Sequence, residues 1–361
     1  MLYIMIIFSI VGGIDKLLNN KYGLGVKFDE GFKAMGGLAL TIIGIYSISP
    51  VIAKLVIPVL NPLARILNTD PSVFISSLLA MDLGAYKTSM EIAIDPLIGR
   101  FNGLILGSML GATISFTIPV GINLISVKDY PYFIKGILAG IVTVPIGMIV
   151  SGLLMKVPVN NIIFSLIPVI LFTMPIGWGL IKAQEKMISI FNILGKVILS
   201  ISTIGLLLSI LDFSLGIKLI DGMIPLEEGT IIVVNICIIL SGAYPLLYFI
   251  SRKLHRQLHR ITEKFDLDEY SVLGLVSTLA SCIPMLGVYE HMNWKGKILN
   301  AAFAVSGAFT FGGQLGYVSS VSPETINPFI FGKLAAGIAG LCMAIILIKL
   351  EKPEEVTRNE G

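Results

Sequence analysis

The chain has 361 residues, 55% hydrophobic and only 14% charged, with a formal net charge of +3. A soluble domain carries about 25% charged residues, so a mean hydropathy of +0.89 points to an all-α polytopic membrane protein. So small a net charge gives no basis for nucleic-acid binding. The three cysteines, Cys237, Cys282 and Cys342, stand in separate apolar segments without metal or disulfide spacing.

Taken in order, apolar runs predict about nine full spans, near 2–18, 34–57, 101–123, 132–155, 160–181, 197–213, 229–250, 298–318 and 329–349. The first run lacks a basic leader and a small-residue cleavage site, so it is expected to stay as a membrane helix. Pro50 predicts a kink in the second. An amphipathic piece at 184–196 leads into the sixth of these spans, near 197–213. The tail, 351–361, is polar and expected to be disordered and cytoplasmic.

Two further segments fit neither a span nor a loop. Residues 70–94 open like a helix, with Asp70 as cap and Pro71 in the first turn. The first half is apolar, and then Asp82, Gly84, Tyr86, Lys87 and Thr88 follow. Residues 270–292 are mixed in the same way and contain Pro284. Both are predicted to be re-entrant, broken-helix hairpins, which in membrane proteins are common places for a substrate site.

Short matches link the two halves of the chain. The sequence FDEG at 28–31 recurs as LEEG at 226–229, and SLLA at 77–80 as STLA at 277–280. Phe116-Thr117 recurs as Phe309-Thr310, FIKGILAG at 133–140 as FIFGKLAA at 329–336, and Asp15 as Asp212. The offsets run from 193 to 200 residues, in one order, which argues for duplication. The predicted organisation is a first membrane repeat at 1–156, a connecting span and amphipathic segment at 157–195, and a second repeat at 196–350. The basic run at 252–260 is expected in the cytoplasm. If each hairpin enters and leaves on one side, Lys295, Lys297 and the tail are cytoplasmic too. The repeats are then inverted, with hairpins entering from opposite faces.

Asp82 is the sharpest chemical signal. A carboxylate at membrane depth must pair with a cation, line a wet cavity or be neutralised. It fits the counter-ion of a small monocation, and it also fits a structural pair with Lys87. Ser76, Ser77, Ser277, Thr278 and Ser281 place hydroxyls in the two hairpins, although such groups often bond their own backbone. Thr310 and Gln314, like Thr113, Ser115 and Thr117, lie in spans after the hairpins and are candidates for a cavity wall. Tyr86, Tyr289, Phe116, Phe309 and Tyr317 are candidates for cation–π contact with an ammonium group. Glu91, Glu290 and His291 read as hairpin-end or interfacial residues. His255 and His259 share a helix face, but the arginines beside them favour a basic surface helix over a metal site. No G-x-x-x-x-G-K-[ST], H-E-x-x-H or G-x-S-x-G motif occurs, so neither an enzyme nor a bound cofactor is implied.

Long blocks carry a resemblance. With FDEGFKAMGGLAL at 28–40, PSVFISSLLAMDLGAY at 71–86, GLILGSMLGATISFTIPVG at 103–121, GILAGIVTVPIG at 136–147 and KGKILNAAFAVSGAFTFGGQLGY at 295–317, the chain resembles the bacterial ethanolamine utilisation permease family, EutH. The resemblance implies passage of ethanolamine across the bacterial inner membrane, feeding ethanolamine catabolism. It transfers no site residues. It implies ethanolamine and the lipid bilayer as partners and leaves a homo-oligomer open. Alternating access around a midplane site, by facilitated diffusion or secondary transport, is the expected mechanism. Two alternatives stand beside it: a secondary transporter for an organic anion or nucleoside, and a non-transporting membrane scaffold.

Overall fold

The computed structural model describes residues 2–253 and 266–350. The remainder of the basic run beyond Lys253, with His255 and His259, and the tail at 351–361 lie outside the described residues.

Every described element is a helix. Seven are long and apolar enough to cross a bilayer: 24–66, 96–124, 127–154, 159–182, 185–215, 226–250 and 323–350. Helix α1 (Leu2–Leu17) precedes these runs; α2 (Leu24–Lys33) and α3 (Met35–Ile66) make up the first, and α3 continues through Pro50, Pro58 and Pro62. The first predicted span falls on α1, which has 16 residues. The amphipathic segment and the span after it form one helix, and the run predicted near 298–318 is interrupted.

The hairpins occupy the predicted segments. Helix α4 (Ser72–Leu78) ends where Leu79 and Ala80 turn extended. A single turn at Met81–Leu83 and Gly84, at φ 95°, then lead into α5 (Ala85–Ile92). Glycine is required there, because an L side chain at that φ is strained. Next come α6 (Pro96–Arg100), a wide π-helical stretch over 101–117 and α7 (Ile118–Leu124). Helices α8 (Tyr130–Leu154), α9 (Val159–Lys182), α10 (Gln184–Leu215) and α11 (Leu226–Lys253) follow. The second hairpin is α12 (Glu269–Thr278) and α13 (Cys282–Gly287), again with extended backbone between them at Ser281. The chain closes with α14 (Trp294–Gly307), α15 (Gly313–Val321) and α16 (Ile326–Leu350).

Between α14 and α15 the helix unwinds. Ala308 is extended and Phe309 adopts φ 61°, a strained value for an aromatic residue. The freed backbone is not left bare. Phe309 N donates to Thr278 O at 3.0 Å and Phe311 N to Leu279 O at 2.8 Å. A Cβ on Gly312 would overlap Ala280 O, and one on Gly111 would overlap Leu79 O. Each hairpin bend therefore rests on a glycine, Gly111 in the π-helical stretch and Gly312 in the unwound segment before α15, so close that no side chain fits.

Both hairpins are clasped at their base by an aspartate. Asp70 accepts Ser72 N at 2.9 Å and Ile94 N at 2.9 Å, 24 residues further on. Asp268 accepts Ser271 N at 2.8 Å and Asn293 N at 2.7 Å, 25 residues further on. Two ion pairs then tie the helix after each hairpin to the other half of the chain. Arg100 pairs with Glu324, and Lys297 with Asp129 at 2.7 Å.

The core runs through the π-helical stretch, α8, α14 and α16, and it buries Phe101, Leu104, Met109, Phe133, Val144, Ala304 and Phe329. In contrast, α9 and α10 expose Leu171, Met174, Trp178, Leu199, Leu207 and Ile210. An apolar exterior of this extent needs hydrocarbon around it, so the chain is a multi-pass membrane protein.

Candidate functional site

The bend of the first hairpin carries Asp82 into the interior. The residue is enclosed by protein, yet it keeps part of its surface accessible. Among the described residues its carboxylate accepts a hydrogen bond only from its own backbone N–H. The alternative partner, Lys87, turns away: one turn along α5 it pairs with Glu91 at 3.6 Å and lies over the Tyr46 ring at 5.6 Å. Asp82 is thus a carboxylate with open coordination.

The cation nearest in effect is Lys333, on α16. The two side chains act on each other electrostatically but form no ion pair within 4.0 Å. Lys333 is 1% exposed. Its ammonium donates to Ser108 O at 2.7 Å and Gln314 Oε1 at 2.8 Å, and it lies 5.3 Å from the Phe329 ring centre. Cys282, at the second hairpin's bend, also acts on it, and the Cys282 thiol bonds Thr117. Both bends therefore converge on Lys333. Sequence reasoning passed over this residue, although a lysine inside the apolar run FIFGKLAAGIAG was a visible signal.

The other predicted residues divide into two groups. Tyr86 packs edge-on against Tyr317, with centroids 6.2 Å apart, and Tyr317 also faces Asp82. Gln314 holds Lys333. Tyr317 and Lys333 act on Asp82, and Tyr86 and Gln314 in turn contact those two residues. Ser76 bonds Ser89 within its own hairpin at 2.8 Å, and Ser77, Ser277 and Thr310 bond backbone carbonyls three or four residues back. Ser281 caps α13 through Ile283 N at 3.3 Å. The hydroxyl of Thr278 is buried without a partner among the described residues. Phe116 and Phe309 stack edge-on at 5.7 Å. Glu290 and His291 form an exposed pair at the hairpin end.

A cavity of about 410 Å³ lies at the open base of the first hairpin, between Asn61, Arg65, Asp70, Asp95 and Asn161. It offers a cation no free counter-ion, because Asp70 is the hairpin clasp and Asp95 caps α6 through Leu97 N at 2.8 Å.

Taken together, long apolar helices, two broken hairpins and a carboxylate enclosed by protein fit a membrane transport protein. The profile of the family described as "Ethanolamine utilisation protein, EutH" matches residues 1–347. The chain belongs to that family. It is 40% identical over 360 residues to the probable ethanolamine permease EutH of Listeria monocytogenes, covering 99% of this chain and 96% of that one. It is 34% identical to the probable ethanolamine permease EutH of Escherichia coli K12, over 97% and 95% of the two chains. To the uncharacterized protein YxeR of Bacillus subtilis it is 39% identical, over 99% and 96%. No solved structure matches the chain.

Proposed function

We propose that this chain is a bacterial inner-membrane permease for ethanolamine, with Asp82 as the counter-ion of the substrate ammonium. The observation that carries the site is the open coordination of Asp82. Membership of a family whose relatives are named ethanolamine permeases supplies the substrate. An alkyl ammonium titrates near pH 10, so at neutral pH ethanolamine is almost wholly cationic and crosses lipid poorly. A single carboxylate beside Tyr317 suits one small monocation. An organic anion would meet Asp82 as a like charge.

The mechanism is alternating access between inverted repeats. Three reciprocal features support it. Each hairpin has its clasping aspartate, each bend rests on a glycine, and each half donates one cation and one carboxylate to the ion pairs between halves. Arg100 and Lys297 are 197 residues apart, and Asp129 and Glu324 are 195 apart, within the offsets of the sequence matches. One hairpin then gates each face.

Uptake of labelled ethanolamine at acid pH tests the proposal. Asp82→Asn should lower it at least tenfold while the protein stays folded. Uptake equal to wild type would remove Asp82 from the site.

A further inference from the structure

Beside Asp82 the interior holds a lysine. Lys333 is fully buried, and all the oxygens that it contacts are neutral. Among the described residues, the only carboxylate acting on it is that of Asp82. Among the described residues of the elements packed around it, no other charge is placed to help. The π-helical stretch over 101–117 contains no titratable side chain. Those of α8, Tyr130, Tyr132 and Lys135, stand near its start, whereas Lys333 sits level with Gly147 and Ser151, where α8 touches Gly332. At 1.5 Å per residue that is about 18 Å from Lys135. On α14, Lys295 and Lys297 are engaged by Asp266 and Asp129. Tyr317 on α15 and Cys282 on α13 are neutral in their protonated forms. When a substrate ammonium reaches Asp82, two cations would share one carboxylate in a poorly hydrated interior. Only one of them can be balanced, and a lysine can give up its charge by losing a proton.

We propose that Lys333 is the proton-exchanging group of this transport site: protonated opposite Asp82 when the site is empty, it releases its proton when substrate ammonium binds. Each ethanolammonium carried one way is then exchanged for one proton carried the other. This rests on the permease reading above. On the side of entry, one N–H bond of the Lys333 ammonium breaks, the electron pair stays on Nζ and the proton passes to water. On the side of exit, the substrate leaves as its ammonium and Nζ takes a proton from water. The empty carrier returns with Asp82 and protonated Lys333 balanced. No bond to the substrate forms, and the cycle moves no net charge.

The test is labelled ethanolamine flux into proteoliposomes at pH 6, where the free base is about one part in 10⁴, with the flux of protein-free vesicles subtracted. Wild-type uptake should be indifferent to an inside-negative potential and should make the interior alkaline, one proton leaving per substrate. Lys333→Met should still transport, without moving protons, and its accumulation should rise about tenfold for each ~59 mV. Lys333→Arg cannot lose its charge and should lower uptake at least tenfold while remaining monodisperse in detergent. Three results would overturn the exchange: wild-type accumulation that follows potential with no alkalinisation, Lys333→Arg uptake at the wild-type rate, or a folded Lys333→Met without uptake. Absence of any wild-type flux would instead remove the permease reading itself.

Discussion

The two ion pairs between the halves of the chain have the same chemistry but different surroundings, and this difference makes a quantitative prediction. The side chains of Lys297 and Asp129 are 10% and 3% exposed, whereas those of Arg100 and Glu324 are 33% and 60% exposed. Lys297→Met leaves the Asp129 carboxylate buried with no cation, and breaking a buried pair from one side costs about 3–5 kcal/mol. Arg100→Met leaves Glu324 in contact with solvent, and an exposed pair contributes at most about 1 kcal/mol. At roughly 2 °C per kcal/mol for a large domain, Lys297→Met should unfold about 6–10 °C early, and Arg100→Met within about 2 °C of wild type. Unfolding of detergent-purified protein can be followed with a thiol-reactive dye, since Cys237 and Cys282 are buried and become reactive only when the core opens. The double variant Lys297→Met/Asp129→Leu removes the stranded charge and should recover most of the loss. Equal shifts at the two pairs, or no recovery in the double variant, would refute the argument from burial.

Other outcomes follow from the hairpins. With exposed Cys342 replaced by serine, Asn68→Cys at the base of the first hairpin and Glu290→Cys at the end of the second should react with an impermeant thiol reagent from opposite sides of the membrane. Reaction from the same side would sink the inverted arrangement. Gly312→Ala drives a methyl group into Ala280 O and should lower stability by about 1–3 kcal/mol; an unchanged melting temperature would show that the bend does not rest on this glycine. Burial of Asp268 pulls its carboxyl upward, but the N–H groups of Asn293 and Ser271 and the Ser271 hydroxyl hold it below the usual carboxylate range. A depressed value means that the clasp contributes fully above about pH 4 and is lost as pH falls through the folded value. Wild type should therefore lose more thermal stability than Asp268→Asn on acidification below about pH 4; parallel curves would contradict the clasp.

Much of this architecture was legible because membrane folding leaves few choices. Apolar length located the long helices, and the mixture of polar and apolar residues at 70–94 and 270–292 located both hairpins. Asp70 was readable as a cap, since its side chain precedes a proline-started helix. Its second role, accepting Ile94 N across the hairpin, depends on a contact 24 residues away that no local pattern encodes. The choice between Lys87 and open coordination for Asp82 turned on the phase of α5, which Gly84 resets. The unwinding at 308–312 was marked by Gly307, Gly312 and Gly313, but the carbonyls of Thr278 and Leu279 that accept the freed N–H groups lie in a different segment. Lys333 was missed because one lysine barely alters the hydropathy of a long run, and only packing against Ser108 and Gln314 reveals that it points inward. Ser77 and Ser277 show how easily a hydroxyl in a membrane helix bonds its own backbone, a contact the sequence does not distinguish from a cavity-facing one.

The central claim is that Asp82 holds the substrate ammonium. Equilibrium binding of labelled ethanolamine to the purified protein tests it without dependence on coupling or on the direction of transport. The account predicts saturable binding by wild type and a loss of at least tenfold in affinity for Asp82→Asn. Equal affinities for the two proteins, both folded, would contradict it.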